Sequence, residues 1–207
     1  MTDIYGLTYD RLCEELSRIG EKPSRAGVIY PAIYRELISD LSELRLNASS
    51  VSAIKENFTL GVPECVKLQN SEAADKYLFA LSDGYTVESV LMKHEFGYNI
   101  CVSTQVGCNM GCRFCMSGRL KRRRDLTAGE MTGQYIAIRR LSGHEINGIS
   151  IMGTGEPMEN LGNVLDFIRI LTHGKGAAVG VKHITVSTCG IPEGIRKLAL
   201  SDTPVNL

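Results

Sequence analysis

Residues 101–118 read CVSTQVGCNMGCRFCMSG and hold four of the chain's seven cysteines within fifteen positions. What flanks this run decides the fold. "YNICVSTQ" (98–105) reads as a strand and "TAGEMTGQYIAIRRL" (127–141) as a helix, with the cysteine loop between them. The same order returns in "INGISIMGTG" (146–155) before "NLGNVLDFIRILT" (160–172). It returns again in "VKHITVSTCG" (181–190) before "PEGIRKLAL" (192–200), and "PVNL" (204–207) opens another strand. Strand–loop–helix repeated three times predicts an α/β fold with a parallel sheet, either an open or a closed βα barrel. Such folds collect their chemistry at the loops that follow the strands. The three unusual loops, "GCNMGCRFC", "GTGEP" and "STCG", all hold that position. Three units cannot close a barrel, so the chain is expected to be a piece of a longer one.

Upstream the pattern changes. Residues 1–60 predict a small helical accessory module. "LTYDRLCEELSRIG" offers Thr8 or Asp10 as a cap, Leu12, Leu16 and Ile19 at helical spacing, and Gly20 as a stop. "PSRAGVIYPAIYRELI" predicts a second helix that Pro31 kinks or begins, and "NASSVSAIKENF" a short third. Residues 61–95 predict a short antiparallel β-hairpin region. "ECVKLQ", "KYLFALSD" and "YTVESVLMKH" alternate or run apolar, and Asp83-Gly84 marks a hairpin turn. Residues 96–207 then form the β/α repeat.

A hydrophobic content of 43% and a charged content of 22% fit a folded globular protein. No apolar run is long enough for a transmembrane helix, and the N-terminus lacks the layout of a signal peptide. A cytoplasmic location follows by default, and there clustered cysteines are metal ligands or redox groups more often than disulfides. The net charge is zero but unevenly spread. Residues 1–95 hold 10 Lys/Arg against 15 Asp/Glu, and residues 96–207 hold 13 against 8. The positive half contains "RLKRRRD", with Arg119, Lys121, Arg122, Arg123 and Arg124. This is either a solvated loop or a patch for a nucleic-acid backbone.

Cys108, Cys112 and Cys115 form C-x3-C-x2-C. Three thiolates are one short of a structural zinc site, so zinc would need a fourth ligand from elsewhere. On a 4Fe–4S cluster, three thiolates leave one iron open to a substrate or cofactor. The spacing favours iron–sulfur over zinc without removing zinc. Gly107 and Gly111 permit the tight loop. The four histidines share no spacing suited to a metal, and Cys13, Cys65 and Cys189 read as structural.

The triad with Phe114 before its last cysteine, directly after a strand of a β/α repeat, resembles the radical S-adenosylmethionine (SAM) superfamily. The flanks "LSDGYTVESVLM", "CVSTQVGCNMGCRFC", "GTGEPMEN", "VSTCG" and "GEKPSRA" resemble the RlmN/Cfr family of RNA adenine methyltransferases. The resemblance runs from about residue 7 to the last residue. It implies the first three units of an incomplete radical SAM βα barrel, a 4Fe–4S cluster on Cys108, Cys112 and Cys115, and SAM on its open iron. Phe114, Gly155, Glu156 and Ser187 match SAM-contacting positions. Taken alone, each is an ordinary apolar, turn or cap residue. Cys101 matches a resolving cysteine that forms a disulfide intermediate, and Glu88 a proton acceptor near the target base.

The implied reaction uses two SAM molecules. One methylates a carrier cysteine near the family's C-terminus, and the second activates that methyl group for transfer to adenine. Cys101 then attacks the carrier sulfur and releases the RNA. The implied substrate is adenine C2 in 23S rRNA and some tRNAs, or C8 in the Cfr branch. Flavodoxin or ferredoxin is the implied reductant, and the full-length protein is expected to be a monomer without a membrane. The carrier cysteine is expected beyond residue 207, so the chain alone is expected to be inactive. The competing reading is a non-catalytic RNA-binding module holding a cluster or zinc.

Overall fold

A computed structural model describes all 207 residues. The chain is mixed α/β and is organised on one six-stranded sheet. Its strands are β1 (Glu64–Asn70), β2 (Ala74–Ala80), β3 (Thr86–His94), β4 (Gly97–Cys101), β5 (Ile146–Ile151) and β6 (Ile184–Val186). The order across the sheet is β6-β5-β4-β3-β2-β1. Strands β4, β5 and β6 are parallel, and β1 to β4 form an antiparallel meander. The hairpin region and the β/α repeat therefore share one sheet, joined where β3 pairs with β4. The sheet is open, with β1 and β6 as its edges. Beyond β6, Asn206 makes a single parallel bridge to Thr185.

Three helices follow the three parallel strands: α4 (Ala128–Ser142), α5 (Leu161–Thr172) and α6 (Pro192–Ala199). The β/α alternation predicted between residues 96 and 207 is present. The one difference lies in "YNICVSTQ", which does not form a single strand. Strand β4 stops at Cys101, and Gln105–Val106 instead pairs antiparallel with Arg124–Asp125. The backbone is turned aside between them because Ser103 is gripped from α4. Gln134 Oε1 accepts from the Ser103 amide at 3.0 Å, and Gln134 Nε2 donates to the Ser103 carbonyl at 3.1 Å. A polar pair buried in this way cannot continue the ladder and must be satisfied locally.

The N-terminal module contains α1 (Tyr9–Arg18), α2 (Ala26–Tyr34) and α3 (Ala48–Asn57). Helix α1 is capped by Thr8, whose hydroxyl accepts from the Arg11 amide, and it buries Leu12 and Leu16. Pro31 lies inside α2, which runs on through it to Tyr34, so it removes one N–H from the helix ladder without ending the helix. Helix α4 is sandwiched between this module and the sheet, so nearly every residue from Ala128 to Arg139 is buried. A helix covered in this way must satisfy its buried polar side chains inside the fold, as Thr132, Gln134 and Arg139 do. Arg139 donates to the Tyr34 carbonyl at 2.8 Å, and Arg140 donates to the Ile38 carbonyl and to Tyr5 Oη. These contacts fasten the module to α4 through two backbone carbonyls and one tyrosine hydroxyl.

Only one face of the sheet is covered by helices. Along β3, Val87, Ser89 and Leu91 are buried toward α4, while Glu88 points to the opposite face. No helix of the chain is long and apolar enough to cross a membrane.

Candidate cluster and cofactor site

The loops leaving β4, β5 and β6 emerge at one end of the sheet and are tied to one another by hydrogen bonds. The first contains the cysteines. It is a clasp closed at its base by the Gln105–Val106 and Arg124–Asp125 ladder. The Cys108 amide donates to the Leu120 carbonyl at 2.8 Å, and the Arg123 amide to Val106 at 2.7 Å. The basic run is thus the return leg of the clasp. Gly107 takes φ +75, and a Cβ there would stand 2.3 Å from the Lys121 carbonyl oxygen. Glycine is required at this crossing.

Within the clasp, Cys108 is buried and Cys112 and Cys115 are half-buried. All seven cysteines are free thiols. The Cys115 thiol is held below its ordinary pKa, chiefly by the Gly118 amide and then by Ser117. An acidic thiol is the form suited to iron. The donor set is therefore three soft sulfurs on one short loop, which fits a 4Fe–4S cluster. No trio of His, Cys, Asp or Glu side chains in the chain is gathered at metal-binding geometry. Phe114 is 93% exposed at the tip of the loop and packs against nothing.

The second loop carries Gly155 and Glu156. Gly155 has φ +115, and a Cβ there would press on Thr104 Oγ1 at 2.6 Å and on the Gln105 side chain. Glu156 is 3% exposed. Its amide donates to Gln105 Oε1 at 2.9 Å. Ser117 Oγ lies 3.2 Å from Thr154 Oγ1, which links this loop to the cysteine clasp. The third loop begins at exposed Ser187, whose amide donates to the Ile151 carbonyl. Cys189 was expected to be a structural residue, but β6 ends three positions earlier and leaves it exposed in this loop. Its Sγ lies 3.2 Å from Met110 Sδ, inside the cysteine clasp. Burial, the Glu156 carboxylate and the neighbouring Cys112 and Cys108 push its thiol up to about 11.

Cys101 and Glu88 lie on the face of the sheet that the helices leave uncovered. Cys101 pairs with Val90, two residues from Glu88, which puts both side chains on one face at the loop end of the strands. Burial raises the Cys101 thiol, against the Met152 amide that lowers it. Glu88 is half-exposed, and one carboxylate oxygen meets Lys76 Nζ at 3.0 Å.

The basic run divides in two. Arg119, Lys121 and Arg123 are exposed and make no ion pair. Arg122 pairs with Asp125 at 2.8 Å. Arg124 donates to Asp83 at 2.6 Å and to both Glu130 oxygens at 2.7 and 2.8 Å. Glu130 and Asp83 raise the Arg124 guanidinium above its usual range. Arg124 thus holds the clasp to the β2–β3 turn and to α4, while Arg122 pairs within the clasp.

Several residues that position the loops lie in or beside the quoted motifs but carried no role of their own. Gln105 Nε2 donates to Asp125 and Glu159 at 2.8 and 3.1 Å, and Asn160 Nδ2 donates to the Thr104 and Leu126 carbonyls, each at 2.8 Å. The available cue was an amide inside a long apolar helix or strand exit, as at Gln134 and Gln105. Asn160→Ala strands two buried carbonyls and is expected to cost about 2–3 kcal/mol. A urea titration measures it, and a loss under about 0.5 kcal/mol would remove Asn160 from this role.

Residues 97–196 match a family model described as a 4Fe-4S single cluster domain. A "Probable dual-specificity RNA methyltransferase RlmN" from Listeria welshimeri is 41% identical over the whole chain. The protein of the same name from Acholeplasma laidlawii is 42% identical over 99% of it. The chain spans 58% and 61% of these relatives' lengths, somewhat under two thirds. A crystal structure of a radical SAM methyltransferase from Sphaerobacter thermophilus superposes with a TM-score of 0.92 at 34% identity. That match covers 99% of this chain and 62% of the other. The cysteine clasp and its two companion loops thus sit in a chain that is similar along its whole length to RlmN-type radical SAM methyltransferases.

Proposed function

We propose that this chain is the cluster- and SAM-binding part of an RNA adenine methyltransferase acting at C2 of adenine in 23S rRNA and some tRNAs. The observation that carries the reading is the convergence of three strand-exit loops around one three-thiol clasp. Cys108, Cys112 and Cys115 would hold a 4Fe–4S cluster, which supplies the electron that cleaves SAM. Gly155 would let the backbone approach SAM, with Ser187 and Phe114 beside it, and Phe114 would find a partner only when the site is filled. Cys101 would be the resolving thiol and Glu88 the proton acceptor, and their shared face at the loop end supports both roles. The three β/α units would belong to a larger βα barrel. Residues 1–60 would then be an RNA-binding accessory module, and residues 61–95 an extension of the barrel sheet. The test is anaerobic: the iron-loaded chain is mixed with SAM and a strong reductant. SAM binding with reductive release of 5′-deoxyadenosine is expected, and a loaded chain that neither binds nor consumes SAM would overturn the reading.

RNA would meet the exposed half of the basic run. Reversing Arg119, Lys121 and Arg123 to Glu is expected to weaken RNA binding and to flatten the log–log salt slope by about 2. Arg124→Met should leave that slope unchanged and destabilise the fold by about 1–3 kcal/mol, because it breaks bonds to Asp83 and Glu130. An unchanged slope in the triple variant would assign the run to solvent.

A further inference from the structure

We propose that the Glu156 side chain is a positioning residue that fixes the β6 exit loop over the cysteine clasp, rather than a ligand of SAM. This rests on the functional reading above and sharpens it at one residue. Both carboxylate oxygens are engaged by the protein. Oε1 accepts from the Met158 amide at 2.9 Å and from Thr188 Oγ1 at 2.7 Å. Oε2 accepts from the Cys189 amide at 2.8 Å. At 3% exposure, the carboxylate is aimed away from solvent and across the gap between two loops. Its own amide is held by Gln105, which in turn reaches Asp125 at the base of the clasp. One residue thus joins all three strand-exit loops, its side chain holding the β6 exit loop and its amide meeting Gln105 at the clasp.

The chemistry of the bonds separates the two roles. A carboxylate only accepts, and here every partner is a donor fixed in the protein: two backbone amides and a hydroxyl. A carboxamide in its place presents one N–H2 group, which faces either the Cys189 amide or the Met158 amide. One backbone donor is then left without an acceptor, and the 187–190 loop is released. Thr188 contributes through its hydroxyl alone, so serine can replace it and valine cannot. Glu156 and Thr188 share a bond, so their effects should not add.

Amide hydrogen exchange of residues 187–190 in the whole chain tests this without needing activity. Glu156→Gln and Thr188→Val are each expected to speed exchange about tenfold, the double variant little more than the worse single, and Thr188→Ser hardly at all. In the iron-loaded chain, SAM affinity should fall in parallel with loop exchange in both single variants, with iron content unchanged. Loss of SAM binding in Glu156→Gln alone, with exchange of the loop unaltered, would overturn the proposal and make the carboxylate a direct ligand. Wild-type chain that binds no SAM would refute the functional reading. The exchange result would still decide for or against the positioning role.

Discussion

Cys112→Ala is expected to abolish cluster binding. Anaerobic loading of the wild-type chain should give about four irons and four sulfides per chain, and the variant close to none. With one of three thiolates gone, two sulfurs on a single loop remain, too few to hold a cluster that leaves even one iron open. Cys13→Ala is the control. Cys13 lies in α1, where its thiol donates to the Pro23 carbonyl, and its loss should leave iron content intact. Iron and sulfide analysis with the visible absorption spectrum reads both variants. Stoichiometric zinc without iron in the wild-type chain would sink the iron–sulfur assignment and favour the zinc-module alternative.

Gly107→Ala should be the most damaging single methyl group in the chain's functional half. A left-handed conformation costs an L-residue about 1–2 kcal/mol, and forcing a Cβ against the Lys121 carbonyl adds a clash that backbone must absorb. The expected loss is about 2–4 kcal/mol, together with most of the iron-binding capacity, since the clasp closes at this point. Gly111→Ala makes the informative comparison. Its φ is also positive, at +62, but a Cβ there meets nothing within 4 Å. Its cost should stay near 1–2 kcal/mol, with iron binding retained. Denaturant midpoints and iron content in both variants decide the matter; equal losses would mean that strain rather than closure governs the loop.

Much of this organisation was legible beforehand because it rests on local rules. Thr8 caps α1 and Gly20 ends it, and Asp83-Gly84 turns the β2–β3 hairpin. Each is a short-range preference that the tertiary structure had no reason to override. The cysteine loop was legible as a metal-binding loop for the same reason, since three thiols on one loop need no distant partner to be recognised, though spacing alone left zinc beside iron–sulfur. The strand expected over 98–105 is broken by an interaction that is not local. Ser103 leaves the ladder on account of Gln134, thirty-one residues away, and no window of sequence contains both.

Local residue patterns are enough to set the repeated strand–loop–helix order, the three-thiol loop and the glycines that let it turn. The tertiary structure alone decided which charges are free and which loops share a site. Arg119, Lys121 and Arg123 remain unpaired, while Arg124, in the same run, is spent on Asp83 and Glu130. Glu156 is a motif residue in the sequence, and only the fold brings Thr188 and Cys189 to its carboxylate. The physical reason is common to both cases. Residue type fixes what a side chain can donate or accept, but only the closed fold determines which partner removes it from water.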